Sequence, residues 1–189
     1  MTTSTRPKPG ERRLQILQAL ADMLQAPGSE RVTTAALAAR LEVSEAALYR
    51  HFASKAQMFE GLIDFIEQSV FGLVQQVTDR DADPVAQVYW IVTLVLQFAE
   101  KNPGMARVMA GDALVLEHER LMARMQLMHD KLESALKQRL REAGHPEPVV
   151  LGGLLVSVVL GRLQRYVRSG FKRLPTEQLD QALGWLLRA

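Results

Sequence analysis

The stretch VTTAALAARLEVSEAALYRHFASK, Val32 to Lys55, predicts two short helices joined by a tight turn. The first is expected from Thr33 to Arg40, because the hydroxyl oxygen of Thr33 or Thr34 can accept an unpaired backbone N–H there. Ser44 is placed to cap the second helix in the same way. The first helix is expected to present an apolar face of Ala36, Leu37, Ala38 and Leu41, and the second to carry Ala46, Ala47, Leu48, Tyr49 and Phe52.

This order of elements is typical of a helix-turn-helix, whose second helix enters the DNA major groove with its first residues at the base edges. The alanines let the backbone approach DNA closely, and the basic and aromatic side chains after them can reach phosphates. Glu45 has two interpretations, as an acceptor for a cytosine amino group or as a simply exposed residue. The alternative for the motif is a small helical hairpin inside an ordinary α domain. The residues expected to bind DNA are Arg13, Thr33, Thr34, Ser44, Glu45, Ala46, Ala47, Tyr49, Arg50, His51 and Lys55.

Charge is distributed unevenly along the chain, although the formal net charge is only +2. Residues 1–55 contain eight basic and five acidic side chains, residues 56–104 contain two and seven, and residues 105–189 contain thirteen and nine. The basic N-terminal segment suits a polyanion, and Arg12 and Arg13 are expected in a flexible arm that reaches the DNA backbone or minor groove. This asymmetry supports DNA binding only together with the helix-turn-helix.

Composition limits the other classes of function. The 189 residues are 48% hydrophobic and include no cysteine, so the chain can form a core as one or two domains but no disulfide or thiolate metal site. The first residues are polar and basic without an apolar h-region, and no apolar run reaches the roughly 18–20 residues of a membrane span. We therefore expect a cytoplasmic protein without a signal peptide or a membrane partner.

Sequence motifs for catalysis are not found. The four histidines form no HExxH pair, and no phosphate-binding glycine loop or GxSxG elbow occurs. His118, within Leu-Glu-His-Glu-Arg, is expected on a solvated helix face. The methionines fall at helical spacings that indicate core packing better than a cofactor site. The expectation is a protein that is not an enzyme and needs no cofactor and no metal.

Helical periodicity extends over nearly the whole chain, with no convincing strand and no internal repeat, so the predicted fold is all-α with about nine helices. Pro27-Gly28-Ser29 is expected to end the first helix. Residues 1–55 are predicted to form the DNA-binding domain, and residues 56–189 a larger helical domain for dimerisation and partner binding. Outside the helix-turn-helix, helices are expected at residues 11–25, 54 to about 79–81, 85–101, 105–110, 113–143, 148–169 and 176–188.

Small residues spaced by four form a stripe on the helix predicted at 148–169. Because residues four apart share one helix face, Gly153, Ser157 and Gly161 let another helix approach closely, and Trp185 adds apolar area. A protein that reads palindromic double-stranded DNA is normally a twofold dimer. The homodimer interface is therefore expected here, with packing within one chain as the alternative.

The segments RLQIL, 13–17, and VSEAALYRHFASK, 43–55, resemble the TetR family of dimeric bacterial DNA-binding proteins. The resemblance implies that family's fold for the whole chain, a DNA-binding head on a helical body. Glu42 is a departure, since members usually carry glycine in the turn before Val-Ser. If this position requires a positive φ, a residue with a side chain is destabilising there.

The body resembles one subgroup of that family in MFEGLIDFIEQS, NPGMARVMAGDALVLEHERL and RYVRSGFKRLPT. The resemblance implies a nucleoid-associated dimer that blocks cell division over the chromosome by antagonising polymers of the tubulin-like protein FtsZ. It also implies that the C-terminal tail of FtsZ binds between the long helix after the head and the next helix. Plain core packing is the alternative for the two apolar residues of this groove. The implied groove residues are Phe65, Leu94, Lys101 and Asn102, and Leu73 and Gln97 stand where the resemblance implies arginine and glycine.

An ordinary repressor, released from its operator by a small apolar ligand, is the other function that the family resemblance implies. The apolar side chains around Trp90, Phe98 and the methionines would then line the ligand pocket. Almost no polar side chain is expected on those inward faces to orient a ligand. The sequence therefore favours the function in nucleoid occlusion.

Overall fold

The computed structural model describes residues 10–26 and 32–188, and this part of the chain is all-α, as predicted. The predicted break at Pro27-Gly28-Ser29 lies outside the described residues. Nine α-helices and one 3-10 helix, Asp112–Leu114, are present in the described ranges. The α-helices are α1 (Glu11–Gln25), α2 (Thr34–Arg40), α3 (Glu45–Tyr49), α4 (Lys55–Arg80), α5 (Pro84–Lys101), α6 (Pro103–Met109), α7 (Glu119–Glu142), α8 (Pro148–Arg168) and α9 (Leu179–Leu186).

The head is formed by α1, α2 and α3, which enclose a small apolar core. Leu17, Leu37, Leu48 and Phe52 are buried in it. The first turns of α4 also belong to this packing, since a Cβ at Gly61 would lie 2.9 Å from the Phe52 ring. Helix α4 therefore joins head and body as one continuous element across the predicted boundary between residues 55 and 56.

The body is a bundle in which α5 packs against α4, α7 and α8, and α7 packs along α8. The predicted apolar α5 lies at its centre, with Val88, Ile91, Val92 and Leu96 almost fully buried. Helix α6 connects the two parts of the molecule, because it packs against α1 on one side and α8 on another. The position of the head thus depends on α4 and α6 together.

Local capping explains most of the predicted boundaries. The Ser54 hydroxyl oxygen accepts the backbone N–H of Gln57, so α4 begins where its sequence predicts. Pro84 starts α5, since a proline at the first helical position lacks only an N–H that would be unpaired anyway. Gly144, with a φ of 71°, follows the end of α7.

Two predicted helices begin later than expected. Helix α7 starts at Glu119 rather than residue 113, because Gly111 has a φ of 81° and a 3-10 turn follows it. The His118 side chain accepts the backbone N–H of Arg120, so His118 is an N-cap and its placement on a helix face was wrong. Helix α9 starts at Leu179 rather than residue 176, after Gln178 with a φ of 52°.

Burial differs from the expected apolar pattern at several positions. Ala36 is exposed and does not contribute to the apolar face predicted for α2, and Phe52 is buried beyond the end of α3. Trp90 is 44% exposed, so it does not line an interior ligand pocket as the repressor alternative required. Of the five methionines whose spacing predicted core packing, Met105, Met109, Met125 and Met128 are buried, but Met122 is 45% exposed, so the prediction was wrong for Met122.

Helix α8 is long and apolar enough to cross a membrane by length and composition alone, although it contains no uninterrupted apolar run of the length that the sequence analysis considered. A core helix of a folded protein passes the same test, and 39% of the apolar stretch of α8 is buried in the body. In α8, Leu151, Leu155, Val159 and Leu163 are buried, and the helix packs along α7. The apolar residues on the face of α8 that packs against α7 are therefore core residues.

We expect the protein to lose stability as the pH falls below the ordinary pKa of histidine, because of His129. Its Nε2 lies 3.0 Å from the carbonyl oxygen of Met109, to which the neutral ring donates. Burial lowers the pKa of His129 below 6.5, although the bond to Met109 opposes this shift. At pH values between the pKa of His129 in the folded protein and its pKa in the unfolded chain, the unfolded chain binds more protons. The free energy of unfolding therefore falls as the pH falls through that range.

Urea denaturation at pH values from 7.5 to about 5 would measure this loss. The matched variant is His129→Gln, whose amide can still donate to the Met109 carbonyl but does not titrate. It should show a shallower decline over the same pH range. Equal pH dependence of the two proteins would show that His129 is not the group responsible.

Candidate DNA-binding surface and partner groove

The exposed side of α2 and α3 brings together most of the residues predicted to bind DNA. The hydroxyl oxygens of Thr33 and Ser44 accept the backbone N–H groups of Ala36 and Ala47 at 3.1 and 3.3 Å. Each hydroxyl group thereby caps a helix and keeps its own hydrogen to donate to a phosphate. The two helix N-termini, with their unpaired N–H groups, lie on one surface and favour an anion there.

Glu45 is connected to the other helix of the motif. Its carboxylate accepts a hydrogen bond of 2.6 Å from the Thr34 hydroxyl group. This bond fixes the start of α3 against the start of α2, and it occupies one of the acceptor sites that a cytosine amino group would use. Glu45 therefore has a structural role that sequence reasoning missed, because its partner lies eleven residues away.

The side chains after the recognition helix form the basic and aromatic edge of this surface. Tyr49, Arg50 and His51 are exposed. The guanidinium group of Arg50 has no ion-pair partner in the described ranges, so it is available to a phosphate. Ala46 is exposed and Ala47 half-buried, which leaves a small, flat start to α3. This surface suits close contact with a major groove.

Two residues predicted to contact DNA are bonded within the protein instead. Arg13 lies in α1, so the flexible arm expected there was wrong. Its Nη1 donates to the backbone carbonyl of His51 at 3.1 Å, and its guanidinium group stacks over the Phe52 ring. The Lys55 ammonium group pairs with Glu117, ahead of α7. This ion pair competes with a phosphate contact, and we leave Lys55 out of the proposed DNA surface.

The turn of the helix-turn-helix holds Glu42 in the left-handed region, with a φ of 54°. The positive φ that the glycine of related sequences suggested is therefore confirmed. A side chain in this conformation places Cβ close to a carbonyl oxygen, which costs roughly 1–2 kcal/mol. The Glu42 carboxylate is exposed and forms no hydrogen bond within the described ranges that would offset this strain.

We expect Glu42→Gly to raise the free energy of unfolding of the head by about 1 kcal/mol, because glycine adopts a positive φ without that clash. Urea denaturation of both proteins would measure the change. Glu42→Ala is the control, since alanine removes the carboxylate but keeps the Cβ. Equal stabilisation by alanine would attribute the effect to charge rather than to backbone strain.

A second candidate site lies along the outer surface of α4 and consists of two apolar cavities of about 350 Å³ each. Leu94 belongs to the cavity between α4 and α5, and Phe65 to the cavity between α1, α4 and α6, so the two predicted groove residues lie in different cavities. The first is lined by Leu73, Gln76, Val77, Arg80, Asp81, Trp90 and Leu94, and the second by Leu14, Gln15, Leu17, Gln18, Leu62, Phe65 and Met105.

Phe65 and Leu94 are both half-buried. They contribute to the packing of the body and also present apolar surface to solvent, so neither interpretation from the sequence accounts for them alone. Trp90 and Leu14, which is 54% exposed, extend this apolar surface at its two ends. The sequence did not assign either residue to the groove, because their helical spacing is the same as that of core residues.

Lys101 and Asn102 lie at the end of α5. Lys101 is exposed, as a donor to a bound peptide must be. Asn102 donates a hydrogen bond of 2.7 Å from its amide Nδ2 to the carbonyl oxygen of Phe98. This bond satisfies one of the unpaired carbonyl groups at the C-terminus of α5 and leaves the second amide hydrogen of Asn102 free to donate.

The small-residue stripe of α8 lies beside an exposed apolar face. Ser157 and Gly161 are exposed, and a Cβ at Gly161 would meet no atom within 4 Å. Gly153 is half-buried, and a Cβ built on it would lie 3.7 Å from Oε1 of Glu133 in α7. Trp185 of α9 is 76% exposed. Leu154, also predicted for this face, is 45% exposed, and the exposed Val150 lies one helical turn before it in α8, so an apolar surface is present where the sequence predicted the dimer interface.

No group of three or more histidine, aspartate or glutamate residues is close enough to hold a metal ion within residues 10–26 and 32–188. The ionisable groups with clear pKa shifts are bonded structurally. Glu67 is an example, since burial raises its pKa but hydrogen bonds and charges from Lys131 and Arg124 together lower it below its ordinary value. The ion pairs of Glu67 with Arg124 and Lys131 hold α7 to α4.

Comparisons with known proteins agree with this geometry. Residues 16–62 match the family model of bacterial regulatory proteins of the tetR family, and residues 82–189 match an SlmA-like model, the tetracyclin repressor-like C-terminal domain. Proteins named nucleoid occlusion factor SlmA are similar throughout. The one from Idiomarina loihiensis is 50% identical over 176 residues, covering 89% of this chain and 90% of that protein. The one from Vibrio cholerae is 47% identical over 178 residues, covering 90% and 91%.

Solved structures show the same fold at low sequence identity. A transcriptional regulator from Rhodococcus sp. Rha1 has a TM-score of 0.79 at 24% identity, covering 93% of this chain and 94% of that one. The regulator FadR from Bacillus subtilis, solved in complex with stearoyl-CoA, has a TM-score of 0.72 at 11% identity, covering 92% and 97%. At such low sequence identity, the structural similarity shows a shared fold and nothing about function.

Proposed function

The chain belongs to the TetR family of bacterial regulatory proteins, with an SlmA-like C-terminal domain, and on this premise we propose that it is a nucleoid occlusion factor. It binds palindromic DNA as a homodimer on the nucleoid in the cytoplasm. There it binds the C-terminal tail of FtsZ and antagonises FtsZ polymers, so that division does not occur over the chromosome. Proteins of this family are DNA-binding regulators and not enzymes.

One observation carries this proposal. The relatives named nucleoid occlusion factor SlmA are about half identical to this chain along nine-tenths of its length, and the similarity includes the body. A helix-turn-helix alone is shared by regulators of many kinds, so likeness restricted to the head would indicate only DNA binding. Likeness in the body is the more specific sign, because the partner surface lies there.

The structure supports the two binding activities separately. The α2–α3 surface offers capped helix N-termini and an unpaired Arg50 to DNA. The two cavities along α4 offer apolar surface to an extended or helical peptide, and Lys101, exposed at the end of α5, offers a donor. The DNA surface and the α4 cavities have no lining residue in common, so one dimer can hold DNA and FtsZ at once.

Sedimentation of FtsZ polymers tests this function. A palindromic duplex is first selected from a random pool by the purified protein, and GTP-assembled FtsZ is then pelleted with the protein alone, with the duplex, and with a scrambled duplex. We expect less FtsZ in the pellet with the protein, and least with the palindrome. If FtsZ does not bind with or without DNA, the protein is instead a repressor that acts through its operator alone.

A further inference from the structure

A polar cavity of about 170 Å³ lies between the C-terminal half of α8 and the segment that leads to α9. It is separate from the DNA surface and from the two cavities along α4, and neither activity proposed above uses it. Three guanidinium groups face it and only one carboxylate. Its lining residues are Arg162, Arg165, Arg173, Leu174, Glu177 and Gln178.

Arg162 forms the base of this cavity. Its Nη1 donates to the carbonyl oxygens of Pro175 and Glu177 at 2.9 and 2.8 Å. These bonds hold the segment before α9 in place, but carbonyl oxygens do not neutralise the charge. Burial, followed by repulsion from Arg165, lowers the pKa of Arg162, and Glu177 opposes this only in part. The positive charge at the base is therefore incompletely compensated.

Arg165 and Arg173 form the sides of the cavity and are exposed. No ion pair involves either of them within the part of the chain that the structure describes. Three guanidinium groups that face one cavity repel each other, and an anion between them would relieve this repulsion. Arginine donates through a planar fork that matches phosphate oxygens in pairs.

The chain does not supply that anion from its neighbouring surfaces. Helix α8 contains no aspartate or glutamate, so a second copy packed on the α8 face brings none from this helix either. In α9, the carboxylate of Asp180 accepts a hydrogen bond of 2.7 Å from the Tyr89 hydroxyl group. Glu177 is the one carboxylate of the lining, and it leaves two of the three guanidinium charges for an anion from outside the chain.

We propose that this cavity binds a small phosphate-bearing anion. Its volume of about 170 Å³ leaves room for a small anion such as one or two phosphoryl groups. Arg162 is held rigidly at the base, and Arg165 and Arg173 close on the anion from the sides. A duplex contacts proteins through a long row of phosphates, whereas this cavity is one small concave site.

Calorimetric titration with inorganic pyrophosphate at low ionic strength tests the proposal. Arg165→Ala and Arg173→Ala should each weaken pyrophosphate binding by about tenfold or more, as expected for lost hydrogen bonds to a charged group. Both residues are exposed, so the variants should keep the Tm of the unchanged protein. Arg141→Ala, which removes an exposed arginine of α7 from outside the cavity, is the control for net charge and should bind normally.

Three results would overturn the proposal. The first is no pyrophosphate binding by the unchanged protein, and the second is equal weakening by Arg141→Ala, which would show attraction by net charge only. The third is a loss of duplex affinity and a lower salt dependence in Arg165→Ala and Arg173→Ala with pyrophosphate affinity unchanged, which would make these arginines DNA contacts. None of these outcomes depends on FtsZ binding.

Discussion

Gly104→Ala is expected to lower the free energy of unfolding by about 3 kcal/mol or more, the upper range for forcing atoms into a packed site. Gly104 lies in the first turn of α6, directly against α1. A Cβ there would lie 1.8 Å from the carbonyl oxygen of Ala21 and 2.7 Å from its carbonyl carbon. Both atoms are backbone, so no side-chain rotation relieves the overlap, and α1 must move away from α6.

That movement would also affect DNA binding. Helix α1 packs against α2, α4 and α6, so displacing it disturbs the support of the helix-turn-helix. Arg107 of α6 donates to the carbonyl oxygen of Leu24 at 3.2 Å, and this bond would be strained as well. We therefore expect weaker binding to a palindromic duplex together with the lower stability, and both follow from one displacement.

Gly72→Ala provides the matched control. Gly72 lies within α4, and a Cβ at this position would meet no atom within 4 Å. Alanine is favoured over glycine in a helix by about 1 kcal/mol, so this variant should be slightly more stable than the unchanged protein. Urea denaturation should give free energies of unfolding for Gly104→Ala and Gly72→Ala that differ by several kcal/mol. Similar stabilities would mean that α1 and α6 are not in backbone contact.

The helices could be predicted well wherever a boundary depends on neighbours in sequence. Ser54, Pro84 and Gly144 act within one turn of their own position, so each helix end could be predicted from its capping residue. The start of α9 could not be predicted, since it depends on Arg162 holding the carbonyls of Pro175 and Glu177. These bonds join residues thirteen and fifteen positions apart, so helical periodicity, which relates residues three or four apart, cannot predict them.

The same distinction applies to the candidate sites. The residue types of α3 indicated a DNA surface, because its caps and small side chains are local features. The sequence did not show that Arg13 is bonded to His51 or that Lys55 pairs with Glu117, since these partners are 38 and 62 residues away. The bond of Arg13 holds parts of the head together, and the bond of Lys55 joins the head to the body. Basic side chains at such joints resemble DNA contacts in sequence although they are already bonded within the protein.

The groove along α4 shows why resemblance and geometry are both needed. Periodicity could not separate Leu94 from the core residues of α5, because it lies only one or two positions from buried ones. The resemblance identified it, and the structure adds that Leu73 and Trp90 line the same cavity. With leucine at position 73, this cavity is lined mainly by apolar side chains near Leu94. We therefore expect apolar contacts to dominate partner binding here.

Leu94→Glu is expected to weaken binding of the FtsZ C-terminal tail by roughly 100-fold or more, while DNA affinity stays unchanged. A peptide that covers this cavity would bury the new carboxylate without a partner, and an uncompensated buried charge costs several kcal/mol. In the free protein the half-buried side chain can turn its carboxylate to water, so the fold should persist. Fluorescence anisotropy with a labelled tail peptide and with a labelled duplex would measure both affinities.

Leu127→Glu is the control for this substitution, since Leu127 is 54% exposed on α7 and lines neither cavity along α4. It introduces the same charge on the same body and should leave both affinities unchanged. Loss of tail binding and DNA binding together in Leu94→Glu would indicate misfolding, whereas unchanged tail binding would place the FtsZ site elsewhere. Because the two affinities depend on surfaces without a shared residue, only a selective loss in Leu94→Glu agrees with a groove on α4 and α5.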